Sequence, residues 1–352
     1  MKNLGVIWKR SGLIVVAVLI GLGLQYARIP IPYMLGGIIG MALVKAVGDP
    51  DLFWPQSWQR LALCIAGYGI GRNFTQDTWA RLLDQTVGVF AATFISLALS
   101  VAIAVWMHHH TFANLISCVM GIMPGGLTQM MLMSEEDSRA DANVVVVSQT
   151  LRLMGVVMFV PFLVVHMLGA EVLPAEAVAK AAQAGGLSWW WLFPVCGLSA
   201  WIALRLHVPT ATLIGPIIGA AVFSCAAGPL QVVPDLLMNF AQINIGLYMG
   251  AMLDKKRLWQ TRALFPYIFA GTAVMIGTSV VVAKFLAGHY QFSLVAAFLG
   301  MAPGGIAEMC LAGMSMGEDV SMILTYQIVR VMILNVTVPY AINWYFDKNY
   351  QG

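Results

Sequence analysis

The chain has 352 residues, of which 60% are hydrophobic and only 10% are charged, and its formal net charge is +3. A soluble domain usually carries about 25% charged residues, so the composition excludes an ordinary soluble protein and indicates lipid as the solvent for most of the chain. The small net charge also argues against a nucleic-acid partner, which a strong basic cluster would indicate.

Two tandem copies of one repeat organise the sequence. An offset of 179 residues carries Leu35–Gly40 onto Ile214–Gly219, and it carries the Pro-Gly-Gly sequence at 124–126 onto the one at 303–305. Beyond Met133 the offset is 178, and it still pairs aspartate, glutamine, arginine and proline positions. A register held over so much of the chain indicates an internal duplication. We therefore assign residues 1–167 to membrane repeat 1, 168–187 to a linker and 188–352 to membrane repeat 2.

Each copy is predicted to contain six apolar stretches. In the first copy they lie near 12–27, 31–47, 59–73, 86–107, 112–133 and 143–167. In the second copy they lie near 188–204, 209–227, 235–253, 264–287, 292–314 and 320–345. Their length and hydropathy predict membrane helices, so the expected fold is an all-α polytopic membrane protein.

The fifth stretch of each copy carries Pro-Gly-Gly in its middle. Proline removes a backbone donor and the two glycines lower helix stability, so we expect the helix to break at this point. Irregular backbone at membrane depth is tolerated only where protein or a water-filled cavity satisfies its polar groups. The fifth stretch is therefore either a broken helix that crosses the membrane or a hairpin that re-enters.

The basic residues favour the re-entrant alternative through the positive-inside rule. With a cytoplasmic N-terminus and five crossings per copy, the basic cluster falls on the cytoplasmic side; it consists of Lys255, Lys256, Arg257 and Arg262. An odd number of crossings also makes the two copies antiparallel, which is the inverted-repeat plan of many secondary transporters. A broken fifth stretch that crosses, combined with a short stretch that does not, gives the same parity.

Polar residues around the breaks predict a solute-binding site. A half-helix that starts after each break presents free N–H groups and a positive dipole end, which attract anions. In the last stretch of each copy an arginine lies well inside the membrane, where a charge is costly and normally faces protein or water. The predicted binding residues are Pro124, Gly125, Gly126, Gln129, Gln149 and Arg152 in the first copy, and Pro303, Gly304, Gly305, Glu308, Gln327 and Arg330 in the second.

Two interpretations of these residues are open. In the structural one, the arginines donate to carbonyls exposed by the breaks, and Asp141 and Asp319 cap the helices that follow. In the functional one, the arginines and the half-helix ends bind an anionic solute, and a carboxylate couples its transport to an ion. The candidates for ion coupling are Glu308, Asp141 and Asp319. Glu308 is favoured because it lies beside the break and its counterpart is the neutral Gln129.

The paired motifs also point to a family. Gly-x-x-Pro-Gly-Gly occurs at 121–126 and at 300–305, and each occurrence is followed by aspartate, glutamine, arginine and proline in that order. This pattern resembles the AbrB-type membrane protein family of bacteria, and the resemblance covers nearly the whole chain. It implies a duplicated hydrophobic domain. Family members have been labelled ammonia monooxygenases and regulators of gene expression, and a more recent interpretation of the family is transporter-like.

The expected function is that of a secondary transporter. It would move a small solute, with an anion favoured, across the bacterial inner membrane by alternating access at a midplane site between the repeats. The expected partners are the lipid bilayer, the solute and a coupling H+ or Na+, with a homo-oligomer left open. No nucleic acid, cofactor, metal or enzymatic activity is expected, since Walker, nucleophile-elbow and HExxH motifs are missing. The alternatives are a membrane-embedded regulator that acts on gene expression indirectly and, last, a membrane monooxygenase.

Overall fold

The regular structure of the described residues is helical. The computed structural model describes residues 2–47, 52–74, 84–172, 188–208, 210–228 and 230–349. Helices are numbered α1 to α15 in order along these ranges.

The described helices of the first copy agree with the six predicted stretches. They are α1 (Lys2–Tyr26), α2 (Pro32–Val47), α3 (Gln56–Gly71), α4 (Thr86–His110), α5 (Leu115–Ile122), α6 (Leu127–Glu136) and α7 (Ala142–Met167). The fifth stretch is divided into α5 and α6, as the Pro-Gly-Gly sequence predicts. Neither half-helix is long enough to cross a membrane alone, because about 20 residues are needed at 1.5 Å of rise per residue. Crossing and re-entry are both compatible with these lengths.

The described helices of the second copy follow the same order. They are α8 (Leu192–Arg205), α9 (Ala211–Ala227), α10 (Asp235–Ala251), α11 (Lys255–Gln260), α12 (Phe265–Tyr290), α13 (Leu294–Met301), α14 (Ile306–Ser315) and α15 (Val320–Asn349). Short 3-10 turns at Trp189–Trp191 and Arg262–Leu264 precede α8 and α12. The basic cluster lies on α11 and on the turn after it. Most of the predicted linker, residues 173–187, lies outside the described residues.

Four of the described helices are long and apolar enough to cross a membrane. They are α4, α7, the segment Arg262–Tyr290 that includes α12, and the part of α15 from Val320 to Ile342. The prediction of an all-helical fold is confirmed, and these four helices fit a membrane protein. The number of crossings and the orientation of the two copies stay predictions.

The chain forms two compact units, and each unit combines parts of both copies. The first unit comprises Met1–Arg81, Met158–Lys255 and Ala307–Ser321, and the second comprises Leu82–Val157, Lys256–Ile306 and Met322–Gly352. The first unit therefore contains α1 to α3 together with α8 to α10. The compact units are defined by packing, whereas the repeats are defined by duplication of the sequence. The units therefore do not test the repeat boundaries at 167 and 188, which stay a prediction.

In the first unit, the second helix of each copy packs against the third helix of the other copy. α2 contacts α10, and α9 contacts α3. The backbones approach so closely that a Cβ atom on Gly246 would lie 2.1 Å from Met34 O. At the positions 179 residues away, a Cβ on Gly67 would lie 2.7 Å from Leu213 O. Only glycine fits at such a distance between two helix backbones.

The same close approach recurs one helical turn further along each pair. A Cβ atom on Gly250 would lie 2.9 Å from Ile38 O, and one on Gly71 would lie 2.2 Å from Ile217 O. These positions are again related by the offset of 179 residues. Equivalent glycines of the two copies therefore have equivalent packing partners.

The second unit contains the breaks and is built around a separate apolar core. Fully buried side chains of α4, α5, α12 and α15 meet there, among them Ala104, Met107, Ile122, Ile268 and Leu334. This core holds the last turn of α5, and with it the first break, in a fixed position.

Candidate functional site

The two Pro-Gly-Gly breaks have the same backbone geometry. After α5, the amide of Gly125 donates to Met123 O at 2.8 Å, and after α13 the amide of Gly304 donates to Ala302 O at 2.8 Å. A bond between residues i and i+2 is a three-residue turn of the γ type. Such a turn is too tight for a helix to continue, so the carbonyls at the end of each half-helix lose their intrahelical partners.

In the first copy, two side chains of α7 satisfy the freed carbonyls of α5. Nε2 of Gln149 donates to Met120 O at 2.5 Å and to Met123 O at 2.9 Å. Nη1 of Arg152 donates to Ile122 O at 3.2 Å, and its Nη2 donates to Gln149 Oε1 at 2.8 Å. The glutamine therefore serves as a donor to the break and as an acceptor for the arginine.

In the second copy, α15 does the same for α13. Nε2 of Gln327 donates to Leu299 O at 2.7 Å and to Ala302 O at 3.1 Å. Arg330 donates to four oxygen atoms: Met301 O at 3.1 Å, Ala302 O at 2.8 Å, Gly304 O at 3.1 Å and Gln327 Oε1. The three backbone acceptors of the first copy therefore each have an equivalent in the second. Met120, Ile122 and Met123 correspond to Leu299, Met301 and Ala302.

The electrostatics of the arginines follow from where they lie. Both guanidinium groups are buried and face the carbonyl ends of α5 and α13, where a helix dipole is negative. Their bonds agree with the structural interpretation, in which the arginines donate to carbonyls exposed by the breaks. In the described part of the chain, Nε of Arg152 and Nε of Arg330 have no acceptor. Contact with a substrate stays a prediction.

Both aspartates lie at exposed helix ends. Asp141 Oδ1 accepts from the amides of Asn143 at 2.9 Å and Val144 at 3.4 Å. Asp319 Oδ1 accepts from the amide of Ser321 at 3.1 Å and from its hydroxyl. These are helix-capping bonds, as the structural interpretation expects. A role of either aspartate in ion coupling stays a prediction.

The first turns after the two breaks differ in charge. Glu308 lies in the first turn of α14 with 8% of its surface exposed, and its carboxylate accepts from its own backbone N–H. Gln129 is the neutral residue in the first turn of α6. The N-cap residue of α6 is Gly126, which has no side chain, so no N-cap side chain bonds to the backbone amides of the first turn of α6.

Asn335 is a residue near the first break that the sequence interpretation missed. It lies on α15, and its Oδ1 accepts from the amide of Gly126 at 3.4 Å. Its counterpart in the first copy is Val157, so a search for residues matched between the copies passes over it. The signal that remains in the sequence is a single amide side chain in an apolar run, five residues after Arg330.

Similarity to known proteins decides the family. The model of a family described as "AbrB: Transition state regulatory protein AbrB" matches residues 33–346. The chain belongs to the AbrB family. This confirms the resemblance that the duplicated motifs indicate, and both Pro-Gly-Gly breaks lie inside the matched range.

Two relatives cover nearly the whole chain at low identity. "Uncharacterized protein YhjN" of Bacillus subtilis strain 168 is 23% identical over 347 residues, which cover 91% of this chain and 88% of the relative. "Putative regulator AbrB" of Escherichia coli strain K12 is 26% identical over 344 residues, which cover 93% of both chains. Of these two relatives, only the second has a name that refers to a role.

Proposed function

We propose that this AbrB-family protein is a secondary transporter that moves a small anionic solute across the bacterial inner membrane. Transport would occur by alternating access at a midplane site between two inverted repeats. The observation that carries the proposal is the matched glutamine–arginine network at the two breaks, buried in a chain that is otherwise strongly apolar.

The network supports a transport site because a helix that only spans and stabilises the protein does not need such a network. An unbroken apolar helix satisfies its own backbone, whereas each break requires a buried glutamine and a buried arginine to satisfy the carbonyls that it frees. The arrangement occurs twice at matched positions. Discontinuous helices that expose backbone ends are the usual way in which transporters build a binding site in the membrane.

The charge distribution at the breaks favours an anion. The arginines neutralise the negative carbonyl ends of α5 and α13, so the opposite ends of the breaks, at the start of α6 and α14, keep their positive dipoles. At α14 the carboxylate of Glu308 lies in the first turn, but α6 carries only the neutral Gln129 there. An anionic solute therefore finds one helix N-terminus without an internal negative charge.

The inverted arrangement is supported by the exchange of helices in the first unit. α2 packs on α10, and α9 packs on α3, with glycines at equivalent positions. Two copies related by a two-fold axis in the membrane plane exchange equivalent contacts in this way. Membrane insertion is supported by large exposed apolar side chains on the long helices, such as Phe94 on α4 and Phe285 on α12.

Transport by purified protein in proteoliposomes tests this proposal. Uptake of radiolabelled small carboxylates is measured with no gradient, with a pH gradient and with a sodium gradient, and empty liposomes are the control. We expect accumulation that depends on the protein and on one gradient. With Glu308→Gln, a proton-coupled carrier keeps exchange of solute across the membrane but loses gradient-driven accumulation.

A second candidate function is indirect regulation of gene expression, which the name of the Escherichia coli relative favours. A regulator whose polar centre only holds structure would show no flux in the same liposomes. Deletion of its gene would then change transcription without a change in the level of any solute inside the cell.

A further inference from the structure

The amide group of Asn335 has an unused donor beside the N-terminus of α6. Only 8% of the side chain is exposed, and Nδ2 has no hydrogen-bond partner in the described part of the chain. Its Oδ1 faces the amide of Gly126 at 3.4 Å. A Cβ atom on Gly126 would lie 3.9 Å from Nδ2, so the free donor lies beside the residue that precedes α6.

The first turn of α6 presents further donors to the same place. The amides of Gln129 and Met130 both donate to Gly126 O at 3.0 Å. By helix geometry, the amides of Leu127 and Thr128 are then the ones without an intrahelical acceptor. Backbone N–H groups at a helix N-terminus, together with the positive dipole end, bind oxyanions.

We propose that Asn335 and the N-terminus of α6 form a subsite for one carboxylate group of the solute. Nδ2 of Asn335 donates to one carboxylate oxygen, and the amides of Leu127 and Thr128 donate to the carboxylate from the helix side. This inference rests on the proposed transport function and names the substrate class, a small organic carboxylate.

The two breaks are unequal in two respects, and both assign the anion to the first break. The second break carries its own carboxylate, Glu308, where the first has Gln129. The helix that would supply the amide to the second break carries Val157 where α15 carries Asn335. A carboxylate is favoured over a phosphate because the donors of this subsite, one side-chain amide and two backbone N–H groups, are all neutral.

A buried donor without a partner has an energetic signature that separates a binding residue from a structural one. Such a group destabilises the empty protein, because it gives up its bond to water without a replacement. Asn335→Val, which introduces the residue of the first copy, removes this cost but also removes the 3.4 Å bond from the amide of Gly126, so the melting temperature of the ligand-free protein should change little. If that variant does not fold, Asn335→Leu provides the same test with a side chain of nearly the same shape.

The experiment measures the melting temperature of the full chain in detergent against rising concentrations of acetate, succinate, citrate, inorganic phosphate and the uncharged succinamide. A ligand that binds only the folded state stabilises it by RT ln(1 + [L]/Kd), so the melting temperature rises with the logarithm of the ligand concentration once that exceeds Kd. Wild type should be stabilised by at least one carboxylate and not by succinamide. Asn335→Val should bind that carboxylate about tenfold more weakly, which is the loss of one hydrogen bond to a charged group.

Asn244→Val is the matched control. Asn244 is also buried, but it lies in the other unit and both of its polar atoms are used, in bonds with Trp54 Nε1 and Phe240 O. This variant should lower the melting temperature of the empty protein and keep the wild-type affinity for the carboxylate.

Four results would overturn the subsite: equal binding by Asn335→Val and wild type, equal stabilisation by succinamide, stabilisation by phosphate alone, or no stabilisation by any of the carboxylates. If a solute is transported but Asn335→Val binds it normally, the subsite fails and the transport proposal stands. If Asn335→Val weakens binding but no solute crosses the liposome membrane, the transport proposal fails and the subsite stands.

Discussion

Replacement of Arg330 by lysine tests whether the geometry of the guanidinium group, rather than its charge, holds the second break together. Arg330 uses two nitrogen atoms. Nη1 donates to Met301 O and Ala302 O, and Nη2 donates to Gly304 O and Gln327 Oε1. Lysine keeps the positive charge but has a single nitrogen, so it can replace only one of these two groups.

The magnitude follows from the acceptors that lose their donor. If the lysine nitrogen takes the position of Nη1, the oxygens of Gly304 and of the Gln327 side chain lose their bonds to Arg330. A fully buried acceptor without a donor costs about 1–3 kcal/mol. Gln327 is fully buried and Gly304 is half-buried, so the two losses together should lower the free energy of unfolding by roughly 1–4 kcal/mol. The charge is unchanged, so the loss reports geometry alone.

The assay is unfolding by SDS titration in mixed micelles, followed by circular dichroism. Arg60→Lys is the matched control, because Arg60 donates to Gln56 at an exposed site on α3, and it should change the free energy of unfolding by no more than about 0.5 kcal/mol. If Arg330→Lys unfolds at the same SDS fraction as Arg60→Lys, the assignment of Arg330 to the break is refuted.

Three further predictions concern stability. Gly71→Ala should destabilise the first unit by about 1–3 kcal/mol, because its Cβ would lie 2.2 Å from a backbone oxygen of α9. Gly197→Ala is the control: its Cβ meets nothing within 4 Å, so it should be neutral or slightly stabilising in the same SDS titration. Asp141→Ala should lower the free energy of unfolding by about 1 kcal/mol through loss of the cap, and Asp141→Asn, which keeps an acceptor, should not. The hydrogen bond from Arg139 lowers the pKa of Asp137, so this pair stabilises the folded state above about pH 4 and the stabilisation is lost as the pH falls through the lowered pKa. Asp137→Asn should therefore reduce the acid sensitivity of the melting temperature.

Much of the fold was predictable from the sequence because membrane helices are defined by local properties. Hydropathy and length located most of the helices within a few residues, although α1 begins at Lys2, ten residues before the predicted stretch. Pro124 and Pro303 located the two breaks, since proline and glycine act on the backbone where they stand. Gln149 and Gln327 were identified because each precedes by three residues an arginine inside an apolar stretch, and a charge in such a stretch needs a buried partner.

The remaining features depend on contacts between distant parts of the chain. The exchange of helices between the copies is visible in the sequence only as matched glycines, such as Gly67 and Gly246, whose partners lie on helices far away along the chain. Asn335 was missed because it breaks the symmetry that identified the other residues. The choice between crossing and re-entry depends on how the half-helices are oriented in the bilayer. Reporter tags in the segment 255–262 and at both termini would determine this topology.

Solute flux through the purified protein tests whether it carries a small carboxylate across a membrane. Proteoliposomes with wild type, with Asn335→Val, or with no protein are exposed to a mixture of small metabolites under a pH or a sodium gradient, and their contents are identified by mass spectrometry. We expect at least one small carboxylate to accumulate with wild type, and to accumulate less with Asn335→Val. Folded protein that accumulates no carboxylate under either gradient, or that accumulates only cations, would contradict it.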